Sequence, residues 1–282
     1  MCRLIFCMGA PVMVYGCGAK PTVAVVVAPP PAIVNPTFAS TYQSVARDSF
    51  GGDSRNSDRA ISSLALISQA EPNNAFTFYV IAAAYANKGD WASVTRNLDT
   101  GNKAPYCVYY QLDTLPIRET ACLAIIRQMA LRCAAVSPQL DIQQGSNLLQ
   151  SVRAMAKHIA GMDPKMTLNP FIAAFARAIA DDALVRSYTK AGMTDATARA
   201  KMQQHADAVW AQAVNHEVGL LLKDEIDTGI KTRLNISKPE FDAMSGRKPL
   251  SPETSKKMDA MTVEKDTVIT PVIDKLVQSM PD

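Results

Sequence analysis

The chain has 282 residues, of which 48% are hydrophobic, 20% charged and 6% aromatic. A chain of this length can bury one large core or two smaller ones, and the composition is ordinary for a globular protein. The formal net charge of +3 is spread along the sequence, so no basic patch indicates nucleic acid or anionic lipid as a partner.

The N-terminal segment has the layout of a secretory signal. Arg3 is the only charge before Lys20, and residues 4–14 are apolar or small, interrupted by Pro11. This run is too short to span a bilayer, which needs about 20 apolar residues. A positive start, a short apolar core and small residues before a cleavage point are typical of exported proteins.

The end of this segment, Val14-Tyr15-Gly16-Cys17, resembles the lipobox of bacterial lipoproteins. The resemblance implies removal of residues 1–16 and acylation of Cys17 on its sulfur and its new amino group. The family usually has Leu and then Ala or Ser at the first two positions, so Tyr15 is a departure.

The residue after the cysteine bears on the destination. Gly18 follows, rather than Asp, and by resemblance to Gram-negative lipoproteins this implies an outer-membrane anchor facing the periplasm. Two alternatives stay open: a secreted protein cleaved near Ala28, and a short anchor that is never removed.

Residues 17–36 are predicted to be a tether. They are rich in Pro, Val and Ala, with Pro29-Pro30-Pro31 in the centre. Such stretches favour an extended, semi-rigid polyproline conformation and do not form a packed helix. A lipid on Cys17 would then hold the folded part away from the bilayer.

Helical periodicity predicts an all-α domain over residues 37–238. Gly, Pro and Asp residues divide it, and helix-capping residues mark several starts. The expected helices cover residues 36–48, 58–72, 74–88, 91–101, 117–135, 142–160, 171–190 and 194–222. After Asn235 the pattern weakens, so residues 239–282 are expected to be a loosely structured helical or disordered tail.

The segment 58–101 resembles one and a half tetratricopeptide repeats, each of about 34 residues in two antiparallel helices. The resemblance is carried by Pro72-Asn73-Asn74-Ala75, Phe78, Ile81-Ala82, Tyr85, Gly89-Asp90-Trp91, Val94, Leu98 and Gly101. Val94 and Gly101 stand where the family usually has Ala. Because a lone repeat cannot bury its own face, the neighbours are expected to be divergent helical hairpins, in a right-handed superhelix or an irregular bundle.

In this family the first helix of each repeat lines a concave groove that binds a peptide. Carried over, the resemblance implies a partner-binding surface made of Phe76, Tyr79, Ala83, Ala86 and Asn87. The groove would be mostly apolar and lacks the Lys and Asn residues of the carboxylate-binding members.

Three cysteines are disulfide candidates: Cys107, Cys122 and Cys133. On one helix, Cys122 and Cys133 would lie about 16 Å apart, whereas a disulfide needs Cα atoms within about 7 Å. Cys107 could therefore reach only one of them. The alternative is three buried thiols that pack as small hydrophobic side chains.

No catalytic or metal-binding constellation is evident. His205 and His216 lie three turns apart on one helix, about 16 Å, which is too far to share a metal. Asp181 and Asp182, with Arg177 and Arg186, are predicted to be a solvated face with pairing at i,i+4. The chain has no nucleotide-binding glycine motif and no nucleophile elbow, so no cofactor is expected and an enzyme is disfavoured.

These observations favour a lipid-anchored envelope protein that binds a protein or peptide partner, in assembly or secretion of an envelope complex. One alternative is a structural scaffold subunit, which a closed bundle without a groove would favour. The other is a helical hydrolase, which would need a polar pocket with perturbed side chains.

Overall fold

The computed structural model describes residues 54–107, 119–161, 168–220, 234–240 and 251–282. The expected signal, the tether and Cys17 lie outside these residues. Within them, helices are joined by turns and no strand forms, apart from one isolated bridge between Asn74 and Tyr106. The predicted all-α class is confirmed.

The helices, numbered here in chain order, are α1 (Ser54–Ala70), α2 (Ala75–Lys88), α3 (Trp91–Lys103), α4 (Glu119–Val136), α5 (Ile142–Ala160), α6 (Leu168–Lys190), α7 (Thr194–Leu220) and α8 (Pro252–Gln278). A 3-10 turn, Ser137–Gln139, precedes α5. Helix α5 has the predicted bounds. Helix α6 begins three residues earlier than predicted, because Pro170 is tolerated in the first turn of a helix.

The α2–α3 hairpin forms as the capping residues predict. The Asn74 side chain accepts a hydrogen bond from the Phe76 N–H at 3.2 Å and so caps the start of α2. Gly89 ends α2 with φ +71°, a left-handed conformation that favours glycine. Asp90 then caps α3 by accepting from the Ser93 N–H at 3.1 Å. Two residues therefore reverse the chain.

The two helices of this hairpin approach closely where Gly101 faces Tyr79. A Cβ atom on Gly101 would lie 2.5 Å from Tyr79 Cε1 and 3.2 Å from the Ala75 carbonyl oxygen. The missing side chain therefore makes room for the tyrosine ring between α2 and α3.

After this hairpin, the packing departs from a simple succession of helical pairs. Helix α2 packs between α1 and α3, and α6 packs between α5 and α7. Helix α3, however, packs against α5, while α4 contacts α2, α5 and α6. The buried apolar residues of α1 to α7, with Leu276 and Met280, nevertheless form one continuous core.

The segment expected to be a loosely structured helical or disordered tail contains a single 27-residue helix, α8. The Ser251 hydroxyl caps it by accepting from the Thr254 N–H at 3.1 Å. Its last turn docks on the main core through Leu276, whereas Ile269 and Ile273 form a second, smaller apolar cluster with Leu234, Met261 and Val277. The structure differs from the prediction because Pro271 lies inside the helix, where proline usually breaks the pattern.

Candidate functional site

The partner-binding residues inferred from the repeat resemblance lie mostly inside the core. Phe76, Tyr79, Ala83 and Ala86 are buried, and Tyr79 is only 1% exposed. Asn87 is half-buried and accepts a hydrogen bond from Arg132 of α4. Since α4 packs on α2, the groove expected at these positions is not an accessible surface in this structure.

Tyr79 instead joins a polar seam between α2, α3 and α5. Its hydroxyl donates to Asn102 Oδ1 at 2.9 Å and lies 2.9 Å from His158 Nδ1. The Asn102 amide in turn donates to the Ser151 carbonyl oxygen at 3.0 Å. Burial raises the pKa of Tyr79 and lowers the pKa of His158. The seam therefore ties three helices together with uncharged groups.

The disulfide candidates separate in the structure. Cys133 is a buried free thiol, and burial raises its pKa to about 12. It therefore does not pair with Cys107. The Cys122 side chain lies outside the described residues, so the Cys107–Cys122 alternative is untouched by this finding.

The acidic and basic residues of α6 that were predicted to form a solvated face are only partly exposed. Asp182 and Arg186 form the predicted exposed ion pair at i,i+4, 2.5 Å apart. Arg177 and Asp181, however, are buried, so the prediction of a solvated face is wrong for these two residues. Neighbouring helix positions point about 100° apart, and this rotation turns one carboxylate to solvent and the other into the core.

The buried charges form a cluster across three helices, referred to below as the arginine–aspartate cluster: Arg153 of α5, Arg177 and Asp181 of α6, and Asp207 of α7. Arg153 Nε lies 2.7 Å from Asp181 Oδ1, and Arg153 Nη2 lies 2.7 Å from Asp207 Oδ2. Arg177 binds both carboxylate oxygens of Asp207: its Nε lies 2.9 Å from Oδ2 and its Nη2 lies 2.8 Å from Oδ1. Asp207 is therefore the common partner of both arginines.

The two carboxyl groups differ in their protonation. Burial and a hydrogen bond with Asp207 raise the pKa of Asp181 to about 7, although Arg153 opposes this shift. Burial also acts to raise the pKa of Asp207, but hydrogen bonds from Asp181, Arg153 and Arg177 outweigh it and hold the pKa below its ordinary value. At mildly acidic pH Asp181 is therefore protonated, whereas Asp207 is ionised.

An open cleft of about 410 Å³ lies over the two carboxyl groups. Asp181 and Asp207 line it together with three alanines, and three polar side chains complete it: Lys201, Gln204 and His205. His205 and His216, the histidines noted in the sequence, are both exposed. Over the described part of the chain, no group of three or more His, Cys, Asp or Glu side chains could hold a metal ion.

Beside the cluster, α5 and α7 hold the residues that follow α8; this place is called the α5–α7 seat. Gln203 Nε2 donates to the main-chain oxygen of Asp282 at 2.9 Å, and Arg153 Nη2 reaches the same oxygen at 3.4 Å. Lys157 Nζ lies 2.6 Å from the Asp282 carboxylate. Met280 is buried, and the Trp210 indole N–H donates to the Leu276 carbonyl oxygen at 2.8 Å.

The arrangement therefore binds a peptide segment by three kinds of contact. It takes a main-chain oxygen, a carboxylate and an apolar side chain. The sequence did not reveal the α5–α7 seat, because its donors on α5 and α7 are separated by about fifty residues in the chain. The segment that occupies the seat is even farther from α5 in the sequence. The one available signal was that Arg153 and Lys157 have no acidic residue on α5 with which to pair.

Comparisons with known proteins add no family to this picture. No family model, curated protein or solved structure shows significant similarity to the chain. None of the helices described here is long and apolar enough to cross a membrane.

Proposed function

We propose that this protein is a lipid-anchored protein of the bacterial envelope that binds a protein or peptide partner, in assembly or secretion of an envelope complex. The lipobox resemblance at Cys17 supports the anchor. The α5–α7 seat supports partner binding and is the observation that carries the proposal. Peptide recognition through the α2 groove is not retained, because those side chains are covered.

The physical basis is that the contacts at the seat are the ones a partner peptide would need. Side-chain donors to a main-chain oxygen recognise any extended segment, whereas Lys157 and the buried apolar position select among sequences. The donors come from two helices that both pack against α6, so they are held in place before a ligand arrives.

The anchor is tested by intact mass and fractionation in a Gram-negative bacterium, comparing the natural sequence with Cys17→Ser. We expect an acyl mass and membrane partitioning that the variant loses. An unacylated, unbound product in both cases would overturn the envelope assignment.

Partner binding is tested by photo-crosslinking in the same cells. A photoreactive amino acid at Gln204, beside the seat, is compared with one at Leu66, an exposed position on α1. We expect a crosslinked protein from position 204 that position 66 does not give. Identical products from both positions, or none from position 204, would contradict binding at this face.

A structural scaffold subunit is the second candidate. The burial of four of the five α2 residues favours it, because a bundle closed at that place offers no groove there. A scaffold would co-purify with an envelope complex in fixed stoichiometry and keep doing so when Lys157 is changed to Glu.

A helical hydrolase is the third candidate, and the raised pKa of Asp181 beneath an open cleft favours it. Both carboxyl groups are already engaged by two arginines, which makes this reading weaker than partner binding. Hydrolysis of chromogenic esters, phosphoesters, peptides or glycosides that is lost in Asp181→Asn would establish it.

A further inference from the structure

We propose that residues 276–282 are a displaceable internal ligand of the α5–α7 seat, and that the partner inserts a segment of the same chemistry, an apolar residue two positions before an aspartate. This inference rests on the proposed function and specifies the partner's recognition element. The segment in place is Leu-Val-Gln-Ser-Met-Pro-Asp.

The polar part of the recognition centres on Asp282. Lys157 takes its carboxylate, while Gln203 and Arg153 take its main-chain oxygen. The hydrogen bond from Lys157 holds the pKa of Asp282 below its ordinary value, so the carboxylate is ionised at neutral pH. Replacing Asp282 with a cation would leave Lys157 facing a like charge.

The apolar part of the recognition is formed by two residues that precede Asp282 in the chain. Leu276 and Met280 are 5% and 6% exposed, and both belong to the main core. The Trp210 N–H fixes the register by binding the Leu276 carbonyl oxygen. An apolar residue two positions before the aspartate, as Met280 is here, is therefore the second requirement.

Charge complementarity explains why the α5–α7 seat favours an acidic residue. At mildly acidic pH, with Asp181 protonated, the arginine–aspartate cluster contains two arginines and one ionised aspartate, Asp207. The cluster therefore carries one surplus positive charge close to the surface. Asp282 lies close to it: Arg153 contacts both Asp207 and the main-chain oxygen of Asp282, and Arg177 helps to lower the pKa of the Asp282 carboxyl group.

The geometry also indicates that the internal ligand can leave. The Asp282 side chain is 99% exposed and Lys157 is 47% exposed, so a competing carboxylate can approach from solvent. An exposed ion pair of this kind is weak, because water and salt screen both charges. In the first half of α8, Val263 is exposed and Lys257 pairs with Glu240 rather than with the main core.

A partner is favoured over a second copy of this chain as the occupant. A second copy offers the same segment, which must compete with one that is already tethered at an effective concentration of the order of millimolar. A partner segment with a larger apolar residue or a second acidic residue can overcome that competition.

The test uses fluorescence anisotropy of a fluorescein-labelled, amidated heptapeptide with the sequence of residues 276–282, titrated with the full-length chain in detergent. The natural chain is compared with the double variant Met280→Ser/Asp282→Ser, which empties the seat and leaves no charge at position 282. We expect the emptied chain to bind the peptide at least about tenfold more tightly, since the tethered competitor has been removed.

Specificity is tested by charge reversal in the emptied chain. Lys157→Glu should abolish binding, and a peptide with Lys in place of its last Asp should restore it. Lys201→Glu, the same change at a cleft lysine that does not contact Asp282, should leave binding unchanged. Thermal unfolding verifies that the compared variants fold. Hydrogen exchange of the natural chain with excess peptide gives a second readout, a loss of protection in residues 276–282.

Three results would overturn the inference. They are equal affinity in the natural and emptied chains, equal effects of Lys157→Glu and Lys201→Glu, and a dimer of the natural chain that Asp282→Lys dissociates. The last result would assign the seat to a second copy. A partner crosslinked at position 204 without peptide binding would leave the proposed function standing, whereas peptide binding without an envelope partner would overturn only the proposed function.

Discussion

Asp181 and Asp207, on the consecutive helices α6 and α7, are bridged by Arg153, which lies 2.7 Å from a carboxylate oxygen of each. Asp207 binds both arginines, and Asp181 stays neutral at mildly acidic pH. The cluster joins α5, α6 and α7 at one point and also touches Asp282 through Arg153. The stability of this part of the fold is therefore coupled to pH.

The first prediction concerns Asp181→Asn. Because the pKa of Asp181 is raised to about 7 in the folded chain, the native state holds a proton that the unfolded state loses near its ordinary pKa. The free energy of unfolding should therefore fall as pH rises from about 4 to 7. Asn keeps the neutral shape, so the variant should lose this slope.

A pKa difference of one corresponds to about 1.4 kcal/mol. At pH 8 we therefore expect the free energy of unfolding of the variant to exceed that of the natural chain by roughly 2–4 kcal/mol. Urea unfolding at several pH values measures it. A variant with the same pH slope as the natural chain would show that Asp181 is not the proton-carrying group.

The second prediction concerns Asp207→Asn, which removes the ionised partner of both Arg153 and Arg177. Two buried guanidinium groups would then lack their shared counter-charge, so we expect a loss of about 3–5 kcal/mol. Asp182→Asn is the matched control, because its ion pair with Arg186 is exposed and contributes about 0–1 kcal/mol. Similar losses in the two variants would argue against the cluster as described.

The third prediction concerns Tyr79→Phe, which removes the hydroxyl between Asn102 and His158. We expect a loss of about 1–2 kcal/mol in chemical unfolding, because buried polar partners are left unsatisfied. Tyr188→Phe is the control, a half-buried tyrosine without a hydrogen bond of its hydroxyl in the described part of the chain. An unchanged midpoint in Tyr79→Phe would contradict the polar seam.

Tyr79→Ala bears on the interpretation of binding experiments. Removing a fully buried ring costs about 3–5 kcal/mol, so the loss of a partner in this variant would report unfolding rather than a lost contact. Binding assays on α2 therefore need a stability measurement beside them.

The fourth prediction concerns Cys133. Since it is buried and its pKa is raised to about 12, its thiolate is scarce and inaccessible at pH 8. We expect iodoacetamide to modify it only after the helices open, as measured by peptide mass mapping with and without urea. Equal labelling rates in both conditions would show that α4 does not cover this thiol.

Local patterns predicted much of the helical fold. The bounds of α5 and the capping of α2 and α3 follow from residues that lie within a turn of each other, such as Asn74 and Phe76 or Asp90 and Ser93. Such signals depend on short-range hydrogen bonds, which a single sequence displays directly. The full length of helix α8 was not predicted, because Pro271 interrupts an otherwise regular apolar spacing.

The site could not be predicted in the same way. Arg153 and Asp207 are 54 positions apart, and Lys157 and Asp282 are 125 positions apart. Their meeting depends on how α5, α6 and α7 pack, which helical periodicity does not specify. The prediction of a partner-binding surface on α2 was wrong for a related reason. The repeat resemblance extends over one hairpin, whereas the helix that packs over Asn87, α4, lies outside that hairpin.

Gly101 has a consequence for how this sequence can change. The family's usual alanine would collide with the Tyr79 ring, and a smaller residue at position 79 would leave a void beside the glycine. Each residue is acceptable only in the presence of the other. A lineage could therefore move toward the repeat consensus only through paired substitutions, and a comparison that scores positions one at a time penalises the glycine that lets the hairpin close.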